Sequence, residues 1–164
     1  MTIKRIIMQA VVLLIFGCSL GFSHGVKEII LEYEHSMRLE NKSIIISLEE
    51  ITDLQKQIKV VTGSVQIDGM IQPELTKEIE ADVFKTLFIR CTKLNLHEII
   101  IGGSGLSGFG GDGNNVTLSF RNSLSGEASV TVWTPSAVPE RRKLEEFYAI
   151  TMDIFKLFGL EELY

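Results

Sequence analysis

From Ile29 to Leu39 apolar and polar residues alternate almost strictly: Ile29, Leu31, Tyr33, His35, Met37 and Leu39 fall on one face, Ile30, Glu32, Glu34, Ser36 and Arg38 on the other. A repeat of two is that of a β-strand lying on a core with its other side in water. Glu40-Asn41-Lys42 supplies turn residues, and Ser43 to Glu50 resumes the alternation with Ile44, Ile46 and Leu48. The pattern predicts an antiparallel hairpin. A third strand is expected from Gln57 to Thr62, running on past Gly63 towards Ile67 with a bulge at Gly63 where the apolar phase changes.

Asp68-Gly69 marks a turn, and Pro73 suits the first position of a helix with Glu74 and Glu78 near its positive end. Leu75, Ile79, Val83, Leu87, Cys91 and Leu94 recur at spacings of three and four, which predicts a core-facing helix ending near Asn95. His97 to Ile101 reads as a short extended segment before the glycine-rich stretch Gly102–Gly113. Val116, Leu118 and Phe120, then Ala128, Val130 and Val132, form a second hairpin closed by Pro135. Pro139 opens a last helix that buries Leu144, Phe147, Tyr148, Thr151, Ile154, Phe155 and Phe158 and is capped by Gly159. The order βββαββα predicts an α+β fold: an antiparallel or mixed sheet of about five strands with two helices packed on one face.

The N-terminus has a different character. Lys4 and Arg5 precede an apolar run from Ile6 to Phe16 that only Gln9 interrupts, followed by small residues. This is the form of an export signal, and the run is short of the roughly 20 residues that span a membrane as a helix. Ile15-Phe16-Gly17-Cys18 resembles the lipobox of bacterial lipoproteins, which implies a lipid anchor on Cys18; Phe16 is bulkier than the pattern prefers. Cleavage at Ser19-Leu20-Gly21, Gly21-Phe22-Ser23 or Ser23-His24-Gly25 would instead release a soluble domain. The chain therefore divides into a signal, residues 1–25, and one α+β domain, residues 26–164, placed in the periplasm or tethered to a bacterial envelope.

Either route leaves the mature domain with Cys91 alone, so no internal disulfide supports it. Cys91 lies on the apolar stripe of its helix and reads as a small buried hydrophobe. Loss of Lys4 and Arg5 takes the formal charge from -5 to -7. So acidic a domain argues against a nucleic-acid partner, because backbone binding depends on clustered Lys and Arg.

Local motifs name no reaction. Gly103-Ser104-Gly105-Leu106-Ser107-Gly108 fits the spacing of a dinucleotide loop, but further glycines and a strand follow where a helix is needed. A phosphate loop requires Gly-Lys-Ser/Thr, and no lysine lies between Glu98 and Arg142. One calcium-roll-like copy around Asp112 supplies too few oxygens. His24, His35 and His97 stand without ligand-spaced partners, and neither a metal nor another cofactor is expected. The loop residues Gly103, Gly105, Gly108, Phe109 and Asp112 remain candidates for an adaptable contact. Glu28, Glu32 and Glu34 share a strand face where Lys56 or Arg121 would ease their repulsion.

The strongest functional expectation concerns the sheet face turned away from the helices. Trp133, the only tryptophan, points opposite to Val130 and Val132, and Ile30 and Ile45 share its side with Arg121. Apolar anchors within a polar rim are characteristic of binding surfaces. The expected function is macromolecular binding without catalysis, as an inhibitor, immunity-type or assembly factor, with a protein partner in the envelope and membrane contact only through a lipid anchor. The alternative is a small-ligand protein or enzyme whose pocket is gated by Gly102–Gly113.

Overall fold

The computed structural model describes residues 24–38, 40–53, 58–104 and 113–164. Five long strands form the framework: β1 (His24–His35), β2 (Ser43–Asp53), β3 (Ile58–Ile67), β6 (Asn114–Asn122) and β7 (Gly126–Trp133). Two short pieces, β4 (Met70–Ile71) and β5 (Lys77–Glu78), pair with the end and the middle of β3 respectively. All pairings are antiparallel, in the order β4-β3-β2-β1-β6-β7. The α+β class is as the sequence predicts; among the described residues the sheet is larger by the two edge pieces, and four helices stand where two were expected. These are α1 (Ala81–Thr92), α2 (Leu96–Ser104), α3 (Pro139–Arg142) and α4 (Glu145–Leu157).

The register shows why one face is the core. Ile67, Ile44, Tyr33, Val116 and Val132 lie in one cross-strand row, and Val65, Ile46, Leu31, Leu118 and Val130 in the next. Helices α1 and α4 lay Phe84, Leu87, Cys91, Phe147, Ile150, Ile154 and Phe155 against these rows, all of them buried. At one end of the same face Glu50 is buried, 3.3 Å from Lys27 Nζ, whose ammonium lies over the Phe88 ring of α1. A charge on a core face is tolerated because it is paired.

Several local expectations give way to tertiary contacts. Strand β1 starts earlier and ends at His35, so Met37 is 65 % exposed instead of buried; Leu39 lies outside the described residues. His35 Nδ1 accepts the Met37 N–H at 3.2 Å, closing the chain reversal. There is no bulge at Gly63, because Leu48 pairs with Gly63 and Glu49 with Thr62 in unbroken register. The apolar phase shifts because Val60 faces outward, while Gly63 occupies a core position that leaves room for a ring: a Cβ there would stand 2.6 Å from Phe158 Cζ.

Pro73 opens only a single 3-10 turn, Pro73–Leu75. The chain then extends as β5, Ile79 N–H bonds Val61 O at 2.9 Å, and α1 begins at Ala81 instead of Pro73. An otherwise unpaired β3 edge outweighs the helical pattern of these residues. His97–Ile101 is helical, not extended: it belongs to α2, where Asn95 O accepts from Ile99 N at 3.1 Å and Ile99 is buried. The last helix is broken at Lys143, which adopts φ 56°, and resumes at Glu145. Its far end closes as expected. Gly159 at φ 67° lets its own N–H reach Lys156 O and the Leu160 N–H reach Phe155 O, which satisfies the last carbonyls of α4.

Asp68 and Gly69, at φ 48° and 80°, make the tight β3–β4 turn that their sequence predicts. The Asp68 carboxylate also accepts the N–H groups of Asn41 and Ser43, which ties this turn to the β1–β2 reversal.

Gly63→Ala should cost about 1–3 kcal/mol through overpacking against Phe158. Combined with Phe158→Leu it should cost less than the two separate losses together, as measured by urea denaturation.

Candidate functional site

Parity places the second side chains of every strand on the opposite face, which no described helix covers. Its rows, from β3 to β7, read Thr62-Glu49-Glu28-Arg121-Glu127, then Ser64-Ser47-Ile30-Ser119-Ser129, then Gln66-Ile45-Glu32-Thr117-Thr131. Hydroxyls join neighbouring strands, Thr117 to Thr131 and Ser119 to Ser129, each at 2.8 Å. The Glu28 carboxylate meets Arg121 Nη2 at 2.6 Å, the pairing expected of Arg121; Lys56, the other expected cation, lies outside the described residues. Counting Glu34 in the next row, five glutamates face one arginine across these strands.

Ile30 and Ile45 are diagonal neighbours on this face, with Arg121 one strand and one row away. Trp133 is not with them. It lies four residues along β7 from Ser129, the residue in line with Ile30, and two strands across, so about 16 Å of sheet separates the two. Its indole is half-buried on the backbone of Gly113, where a Cβ would approach Trp133 Cε2 to 2.7 Å. Trp133 thus anchors the entry to β6 in place of extending the Ile30 patch. Of the glycine-rich stretch, Gly103 falls within α2, whereas Gly105, Gly108, Phe109 and Asp112 lie outside the described residues, as do Cys18 and the first 23 residues of the expected signal 1–25.

A second feature at this end escaped the sequence reading. Thr134, Val138 and Lys143 all adopt positive φ, at 42°, 45° and 56°. Such conformations strain side-chain-bearing residues, most of all a β-branched one like Val138. The loop is held by Arg142, which is buried and donates to the carbonyls of Trp133 at 2.9 Å and Thr134 at 2.7 Å. Burial lowers the pKa of the guanidinium, and Tyr164 raises it in part. Nearby, the Asn114 side-chain oxygen and the Thr134 hydroxyl are buried without a hydrogen-bond partner among the described residues.

A groove on the helical layer lies between α1 and α4. It encloses about 500 Å³ over Val83, Leu87 and Leu157, with Asp82, Arg90, Asp153 and Lys156 at its margin. Arg90 bonds Glu146 at 2.7 Å and Asp153 at 2.6 Å, which clamps the two helices. The hydrogen bond that Arg90 donates to Glu146, joined by the one to Asp153 against the cost of burial, holds the Arg90 pKa above the usual arginine range. The signal for this clamp was present in the sequence: Glu146 and Asp153 are seven apart and share a helix face.

Cys91 is fully buried and desolvation pushes its thiol up to about 12, the opposite of what a nucleophile needs. No group of three or more His, Cys, Asp or Glu among the described residues is arranged to hold a metal ion. No described helix is long and apolar enough to cross a membrane. The chain matches no known family model, and no curated protein resembles it in sequence.

The thiol bears on stability at alkaline pH. Its folded-state pKa lies above its ordinary value of 9.0, so its contribution is fully present below pH 9 and is lost as pH rises through about 12. Cys91→Ala should flatten this decline in a pH series of thermal melts. A smaller slope should remain above pH 10 from Tyr164, whose hydroxyl burial also raises. In the wild type, a thiol reagent should reach Cys91 only after unfolding.

Proposed function

We propose that the chain is exported and works by binding another macromolecule through the uncovered face of its sheet. The observation that carries this reading is the composition of that face: the Ile30–Ile45 pair set among hydroxyls, with five glutamates and one arginine around it. An apolar centre supplies area for contact, and the surrounding charge selects a partner whose own surface is cationic. Export fits the position of β1. His24 already pairs with Asp53, so cleavage at Gly21-Phe22-Ser23, or lipidation of Cys18, would leave the strand whole. The inhibitor, immunity-type or assembly roles are the forms such a binder takes in an envelope.

A second reading, a small-ligand protein, is favoured by the α1–α4 groove, whose volume lies within the usual range for ligand sites.

The test is capture from the envelope of the cells that make the protein, using wild-type and Ile30→Lys/Ile45→Lys baits. One stoichiometric partner should be held by the wild type, released by salt, and absent from the double variant. A partner retained equally by both would place binding elsewhere. The intact mass of the wild-type bait reports whether Cys18 is lipidated or removed.

A further inference from the structure

The two edges of the sheet are treated differently. The outer edge of β3 is covered over its middle and one end, by β5 against Thr62–Gly63, by β4 against Gln66–Ile67, and by the Ile79 and Gln72 N–H groups on the carbonyls of Val61 and Val65. Strand β7 pairs only with β6. Half of the backbone N–H and C=O groups of a strand point to each side, so the outward groups of Glu127 to Val132 have no ladder partner among the described residues. Only at the end of β7 is a carbonyl engaged, that of Trp133 by Arg142. Natural edges are usually blunted by lysine, proline or a bulge. Glu-Ala-Ser-Val-Thr-Val carries none of these and a single charge, and its register with β6 is unbroken.

Beside this edge is an apolar patch. Helix α2 packs on β7 through its buried side, which includes Ile99, while Ile100 and Ile101 are 60 % and 58 % exposed. Val138, in the loop before α3, is 48 % exposed.

We propose that β7 pairs antiparallel with β7 of a second copy of this chain, which joins two sheets into one about a two-fold axis. Self-complementarity supports a second copy over an unrelated peptide. With the axis through Val130, Ala128 faces Val132, Ser129 faces Thr131 and Glu127 faces Trp133. With the axis through Ser129, Ala128 faces Val130 and Glu127 faces Thr131. Both registers keep the core and outer faces continuous, and neither sets like charges opposite each other. The α2 helices, on the same side of the joined sheet, approach across the axis and cover Ile100 and Ile101. The acidic centres do not oppose this. From β1 to β1 of the partner is five strand spacings, about 24 Å, or roughly three screening lengths at physiological salt. Because β4 and β5 cover the middle and one end of the other edge, the assembly stops at two copies instead of growing into a fibre.

Sedimentation equilibrium of the expressed chain, in the N-terminal form in which it is recovered, tests this directly. The wild type should dimerise reversibly. Ser129→Lys/Thr131→Lys, which alters only exposed side chains and sets lysines opposite each other in the register centred on Val130, should weaken the dimer about tenfold or more while leaving the circular dichroism spectrum unchanged. Ile100→Glu/Ile101→Glu should weaken it independently, and hydrogen exchange of the β7 amides should slow as concentration rises. A wild type that stays monomeric up to its solubility limit, or a dimer that neither pair of substitutions weakens, overturns the proposal.

Discussion

An antiparallel strand with period-two chemistry makes two surfaces, and the apolar one has to be covered for the molecule to fold. Every other feature of this chain answers that requirement. Five long strands bring their buried rows into exact cross-strand alignment, and the rest of the chain supplies the lid. The fit is close enough that Gly63 lacks a side chain because Phe158 and Ile79 fill the space it would take. Without a disulfide, this packing and the Arg90 clamp between α1 and α4 carry the stability of the domain.

The same requirement explains what was legible in the sequence. Strands whose one face meets a core show it in alternation, so β1, β2, β6 and β7 could be read along with the face they bury. Helix α4 was visible for the same reason, at its own period. The failures lie where a distant edge decided the local outcome. Residues from Pro73 to Glu80 carry a helical pattern, but the open side of β3 draws Lys77 and Glu78 into a ladder, and the helix waits until Ala81. Leu96 to Ile101 is short and apolar, a composition that fits strand or helix equally until Asn95 provides its first carbonyl acceptor. Val60, apolar yet outward-facing, imitates a bulge that the register does not contain.

The candidate surfaces were legible to different depths. Parity alone puts Ile30, Ile45 and Arg121 on one face, and the Glu28–Arg121 contact follows from two strands being neighbours, which sequence order suggests but does not require. That Trp133 sits on Gly113 depends on how a loop re-enters the sheet, and no periodicity reports that. The strained turn from Thr134 to Lys143 was hidden as well. Its conformations are held by Arg142, which in the basic run Arg141-Arg142-Lys143 near a helix end looks like ordinary surface until its carbonyl partners are known.

Covering one face also limits where recognition can occur. The helices occupy the core side, and their shared groove is crossed at its margin by an ion pair that already uses the charge of Arg90. Two regular surfaces are left, the outer sheet face and the free edge of β7, and they lie at right angles to each other. Pairing along the edge extends the sheet without obstructing the face, so a dimer would present two acidic faces on one side of a continuous sheet. A partner that spans both would gain from the second contact at no cost in new chemistry, because binding the first fixes the second within reach. Joining copies at β7 would thus raise the affinity of the proposed, largely electrostatic surface without altering any residue of it.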